Sequence, residues 1–146
     1  MAEHLPEADL DYEISTDPDR LDVDRVHHWL STDAYWALGR DRERQRAAMD
    51  ASLNFGLYAT DSGEQLAYAR VVTDLATFAY LCDVYVDRAH RGRGLGGALV
   101  RAVTERLEPH GLRRMLLATE DAHQLYARYG FEPLNAPGTW MLRGEQ

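Results

Sequence analysis

Lysine is missing from this chain of 146 residues: all sixteen basic side chains are arginines. That excludes a phosphate loop of the type that ends in Lys followed by Ser or Thr. Cysteine occurs once, as Cys82, so no disulfide can form within the chain and the sequence suits a reducing compartment. No apolar run approaches the roughly 20 residues needed to cross a bilayer. The opening residues 1–7 are acidic and have no apolar core, unlike a secretory signal. A cytoplasmic protein with no membrane partner is the expectation.

What remains is an ordinary globular composition, 45% apolar and 27% charged, in a chain long enough for one hydrophobic core. The net charge of −8 repels phosphate backbones and counts against a nucleic-acid partner, while suiting a cationic acceptor. Against that acidic background Arg88, His90, Arg91 and Arg93 crowd into six positions. A small polyanionic ligand requires such a basic spot.

Residues 1–10 are expected to form a flexible segment and 11–146 a single domain. A short strand at 12–14 is followed by a helical stretch opened by Asp17-Pro18, with Leu21, Val26, Trp29 and Leu30 as its apolar positions. Tyr35 and Trp36 lie in a connector, and 41–53 reads as a second helix. Strands are expected at 54–60, 65–73 and 78–86, the first two joined by the turn Asp61-Ser62-Gly63. Leu95, Leu99, Ala102, Val103 and Leu107 share one helical stripe. A strand at 115–118, a helix at 122–129 capped by Thr119 or Asp121, and two last strands at 131–133 and 139–142 complete the series. Hairpins first and strand–helix–strand units afterwards give an α/β fold with a mixed, mostly antiparallel sheet flanked by helices.

The segment 81–99 carries the chemistry. An apolar strand runs into Arg91-Gly92-Arg93-Gly94-Leu95-Gly96-Gly97, which runs directly into an amphipathic helix. Glycines at 92, 94 and 96 let backbone approach a ligand and aim successive N–H groups at one point. The helix N-terminus adds unsatisfied donors and a partial positive charge, so a diphosphate is the natural guest. A dinucleotide fingerprint belongs after the first strand of its fold, whereas this turn comes two-thirds along the chain.

Arg91-x-x-Gly94-x-Gly96 after an apolar strand resembles the pyrophosphate motif of the GNAT N-acetyltransferases. Ala122-x-x-Leu125-Tyr126-x-x-x-Gly130-Phe131 resembles that family's second hallmark, in the right order and spacing. The resemblance covers roughly residues 12–142 and implies the GNAT acyl-CoA N-acyltransferase fold. It further implies acetyl-CoA as cosubstrate, no metal, and transfer to a primary amine in a ternary complex. A homodimer is one possibility for this fold. By the same resemblance the backbone of Val84, Tyr85 and Val86 pairs with pantetheine, and the amides of Gly92 to Gly97 hold the pyrophosphate. Tyr126 corresponds to the tyrosine that protonates the departing thiolate. Two positions depart from the family pattern. Thr119 stands where many members have a pantetheine-contacting asparagine, and Arg88 lies where a proline is common.

Asp83, just before the pantetheine triplet, is the first candidate to steer or deprotonate the amine; Glu120, Asp121 or water are the alternatives. Tyr35 and Trp36 are candidates for an aromatic acceptor wall, with core packing the competing reading. His27, His28 and His123 read as helix surface, and Cys82 as a small buried residue rather than a nucleophile. A non-catalytic acyl-CoA-binding module remains open as a second function. A third, an RNA-binding patch around Arg88 to Arg93, runs against the net charge.

Overall fold

The computed structural model describes residues 10–145. Of the N-terminal segment expected to be flexible only Leu10 falls among them, and its side chain packs against the core. Nine regular elements follow in order: β1 (Tyr12–Ser15), α1 (Val23–Asp33), α2 (Arg42–Asp50), β2 (Leu53–Ala59), β3 (Gln65–Thr73), β4 (Phe78–Val86), α3 (Leu95–Leu107), β5 (Arg114–Leu116) and α4 (His123–Ala127). The sheet runs in sequence order β1 to β5. The first three pairings are antiparallel, and β4 with β5 is parallel, as the crossover through α3 demands. No helix among the described residues is long and apolar enough to cross a membrane.

The starts of α1 and α2 are set by aspartates. The Asp22 carboxylate accepts from the Arg25 amide at 3.1 Å and Asp41 from that of Arg44 at 2.7 Å, each taking up one orphan donor of the first turn. Asp17-Pro18, expected to open α1, instead makes a separate 3-10 turn over Pro18–Arg20 and returns to extended backbone at Leu21. The helix begins only after its own cap, Asp22.

Two cores sit on opposite faces of the sheet. Under α3 lie Phe55, Leu57, Ala67, Ala69, Leu81, Leu99 and Val103, with their aliphatic neighbours. Under α1 and α2 lie Val26, Trp29, Leu30, Met49, Tyr68 and Tyr85. The strands expected at 65–73 and 78–86 have those bounds. The two expected at 131–133 and 139–142 do not form: residues 131–145 are irregular but for a 3-10 turn at Pro137–Thr139. Pro133 and Pro137 lack ladder donors, and only three residues of β5 pair with β4.

Candidate active site

The parallel pairing of β4 and β5 spans only Phe78–Tyr80 against Arg114–Leu116. Beyond it the strands part, so the edge of β4 from Leu81 to Val86 faces a cavity instead of a neighbouring strand. This cavity, about 810 Å³, is lined by the Val84-Tyr85-Val86 edge, by Ala118 and Thr119 opposite, and by Tyr126 of α4. Arg88, Arg91, Gly92, Gly94, Leu95 and Gly96 form one end, and Tyr35, Trp36, Tyr80, Cys82 and Asp83 the other.

The glycine end is a cradle. Gly92 and Gly94 have φ of 83° and 79°, backbone that favours glycine, with open space where a Cβ would point. The first bond of the α3 ladder runs from the Ala98 amide to the Gly94 carbonyl, so the amides of Leu95, Gly96 and Gly97 precede it. Leu95 and Gly96 of these line the cavity, and their amides with the helix dipole fit a diphosphate. Arg93 and Gly97, grouped with the cradle on sequence grounds, do not line the cavity. Arg93 is exposed, and Gly97 is buried where a Cβ would stand 2.9 Å from the Tyr129 hydroxyl. The missing side chain at Gly97 serves close packing of the α4 region on α3.

Asp33, at the last position of α1, was not suspected from the sequence. Its carboxylate accepts from Arg88 Nε at 2.9 Å and from the Tyr85 hydroxyl at 2.5 Å, and Arg91 Nη2 stands 3.4 Å away. The hydrogen bonds from Arg88 and Tyr85 hold its pKa down at about 2. An acidic group at a helix C-terminus opposes the dipole, and these cations compensate it. Arg91 also donates to the Val86 carbonyl at 2.9 Å and lies over the Tyr85 ring.

The segment after α1 closes the other end. Trp36 Nε1 donates to Asp83 Oδ1 at 2.9 Å, and the Tyr35 hydroxyl accepts from the Glu120 amide at 3.0 Å. Both rings stay partly exposed, packed edge to face. His27, expected on a helix surface, is half-buried and meets the Arg40 carbonyl at 2.8 Å. With Asp33 on Arg88, residues 33–40 form a strap fastened to three walls of the cavity.

Asp83 departs from expectation. Instead of presenting a free carboxylate to an acceptor, it is 3% exposed and bonded by Trp36, by Arg40 Nη1 at 2.8 Å and by Arg70 Nε at 2.9 Å. Burial alone would raise its pKa, and the two guanidiniums override that and lower it. A carboxylate so paired is a weak base. Glu120 and Asp121 are exposed at the cavity wall. Thr119 Oγ1 accepts from the Ala122 amide at 3.1 Å, so of the two cap candidates Thr119 holds the turn into α4.

Tyr126 lies half-buried beside Phe131, and its pKa is pushed up to about 12, first by burial and then by Tyr35 and Asp121. The phenol therefore keeps its proton at neutral pH. Burial likewise pushes the Cys82 thiol up to about 11, which leaves little thiolate. Among the described residues no group of three or more His, Cys, Asp or Glu side chains could hold a metal ion.

Comparison with known proteins agrees with this geometry. Residues 23–131 match the model of the acetyltransferase (GNAT) family. A protein of Gibberella zeae named as an acetyltransferase is 35% identical over 137 residues, covering 81% of this chain and 77% of its own. The crystal structure of a GNAT-family acetyltransferase from Xanthomonas campestris pv. campestris is 47% identical. It superimposes with a TM-score of 0.87, over 92% of this chain and 94% of that one. A Mycobacterium tuberculosis protein solved with CoA shares the fold, with a TM-score of 0.70 at 19% identity over 84% of this chain and 73% of its own. An α3 crossover that parts β4 from β5, a glycine cradle at its start and these relatives lead to one conclusion: the chain belongs to the GNAT family of acetyltransferases.

Proposed function

We propose that the protein moves the acetyl group of acetyl-CoA to a primary amine within a ternary complex, with no covalent enzyme intermediate. The observation that carries this reading is the cavity itself, with a strand edge along one side, donors for a diphosphate at one end and an aromatic strap at the other. Acetyl-CoA supplies an activated thioester carbonyl. The amides at the start of α3 bind its pyrophosphate, and Arg88 and Arg91 add positive charge. The free edge of Val84-Tyr85-Val86 receives the pantetheine amides as an added strand would, and an amide of the same edge opposes the developing oxyanion. Tyr35 and Trp36 face the acceptor.

The amine has a pKa of about 10.4 in water, so it arrives charged and must lose a proton. With Asp83 committed to two arginines, that proton passes to water or to Glu120. Tyr126 donates toward the leaving sulfur. Full transfer from a phenol near 12 to a thiolate near ~8.5 is uphill by about three to four pKa units. The hydroxyl therefore acts as a hydrogen-bond donor whose proton moves only as the amine releases its own. A lone cysteine fits a reducing, cytoplasmic setting.

A thiol-release assay over a panel of amines tests the reading, and Cys82, the only protein thiol, adds little background. Transfer to at least one amine is expected. Acetyl-CoA that binds but is never turned over would favour a binding module instead. Gly94→Glu places a side chain and a negative charge in the cradle. Unchanged acetyl-CoA binding by calorimetry in that folded variant would refute the loop assignment.

A further inference from the structure

Asp83 combines two features that the transfer reading leaves unused. Its backbone is left-handed, with φ of 54°, although it is not glycine. Its carboxylate sits between two guanidiniums that come from distant parts of the chain, Arg40 in the strap and Arg70 in β3. Neither cation is there by accident of exposure: their side chains are 17% and 14% exposed, and each has a second acceptor. Arg40 also donates to Gln45 Oε1 at 2.9 Å and Arg70 to Ser52 Oγ at 3.1 Å.

The backbone explains what this cluster holds. Tyr68 of β3 pairs with Tyr85 and Arg70 with Cys82, so two steps on β3 match three on β4. One residue is inserted into β4 here, a bulge that takes backbone polar groups out of the ladder. The side-chain alternation slips with it. Ala79, Leu81, Val84 and Val86 point to the aliphatic core and Tyr85 to the aromatic one. A ladder without the insertion would exchange Val84 and Val86 with Tyr85 between the two faces. Asp83 and Val84 share the place opposite Ala69, and Asp83, with the left-handed backbone, is the one whose carboxylate the arginines grip.

We propose that Arg40 and Arg70, acting through Asp83, are positioning residues for acyl transfer. They clamp β4 in its bulged state and so aim the Val84-Tyr85-Val86 edge at the reacting carbonyl. The clamp also ties that edge to the acceptor wall, because Arg40 and Trp36 belong to the strap that carries Tyr35. The catalytic part of this proposal rests on the transfer reading above; the backbone part does not.

Substitutions at residue 83 separate a clamp from a base. Asn tolerates left-handed backbone and still accepts a hydrogen bond, Gly tolerates the backbone but accepts nothing, and Ala does neither. A clamp therefore predicts kcat falling in the order Asn, Gly, Ala, with the pH profile keeping its shape and acetyl-CoA affinity within about threefold of wild type. Equal loss in all three with a missing limb of the pH profile would make Asp83 a base and overturn the proposal. Arg40→Met and Arg70→Met should each lower kcat by about tenfold or more, and Arg40→Met should add little in the Asp83→Gly background. Should Arg70→Met fail to fold, Arg70→Lys keeps the charge, loses the fork and is expected to be impaired. Wild-type kcat in both Arg40→Met and Arg70→Lys would refute the clamp.

Amide hydrogen exchange at Val84 and Tyr85 in the free protein provides a readout that needs no turnover. It should quicken by about tenfold in Arg40→Met relative to amides of β2 and β3. Unchanged exchange sinks the clamp. Quickened exchange in a protein that acetylates nothing upholds it while refuting the transfer reading.

Discussion

Under α3 the sheet meets leucine, valine and alanine with a single buried phenylalanine, Phe55, whereas under α1 and α2 it meets Trp29, Tyr68 and Tyr85 together with buried Gln45, Asn54 and Asp83. The first face is held by contacts without direction, which tolerate small shifts. The second is held by hydrogen bonds and ring packing, which do not: Tyr68 donates to Asn54, Trp29 stacks on Tyr85 at 5.4 Å, and Asp83 joins three donors. The end of the cavity lined by Tyr35, Trp36 and Asp83 opens on the second face. A rigid polar network there fixes the geometry of a site, and the aliphatic face opposite supplies the bulk of the stability.

That division can be broken experimentally. The largest effect is expected from Leu99→Ala in the centre of α3, where Leu99 is fully buried. The loss should be about 2–5 kcal/mol, or a fall in Tm of roughly 10 °C, with kcat per folded molecule unchanged. A calorimetric scan with activity below the transition checks both parts, and a matching fall in kcat would deny the division. Tyr126→Phe is the opposite case, since Tyr126 packs against this core and also lines the cavity. Removing that hydroxyl should lower kcat by about 10- to 1000-fold, equivalent to ~1.4–4 kcal/mol, with Tm and acetyl-CoA affinity nearly unaltered. Wild-type turnover would leave Tyr126 as packing alone.

Tyr68→Phe probes the polar face. The hydroxyl is buried, pairs with Asn54 Oδ1, and burial drives its pKa far above the ordinary phenol value. Its removal strands a buried acceptor and should cost about 1–3 kcal/mol in a urea titration. The smallest effect concerns acid. Asp33 has its pKa lowered from 3.8 to about 2 in the folded protein. Its stabilising share is therefore complete above about pH 4 and disappears as pH falls through about 2. Asp33→Asn should lose less Tm than wild type between those values, and identical acid profiles would show that Asp33 stabilises nothing through its charge.

The glycine end of the cavity was legible in the sequence because it is written in backbone. Gly92, Gly94 and Gly96 can be read in a row, and the apolar strand before them and the stripe after them fix where the turn lies. β3 and β4 were equally plain, since alternation and turn residues bound them. The side-chain network around the cavity was not legible, because its contacts join residues far apart: Asp83 to Arg40 and to Arg70, and Asp33 to Arg88. Asp83 was singled out for its place on β4, but nothing in a sequence tells that a carboxylate is already occupied. Its left-handed backbone was equally hidden, since aspartate gives no signal as clear as glycine does. At residues 139–142 local preference for strand was overruled by the lack of a ladder to join.

The arginines that fasten this fold have one further consequence. On the transfer reading proposed above, the protein works beside a reactive thioester and is exposed to its own reagent, and the groups at risk are amines that spend part of their time unprotonated. Guanidinium, with a pKa above ~12, offers no such lone pair. The arginine ion pairs, from that of Arg25 to that of Arg101, therefore resist the acetylation that would neutralise a lysine in the same place. With no side-chain amine anywhere in the chain, long exposure to acetyl-CoA can leave the clamp and the strap chemically unchanged.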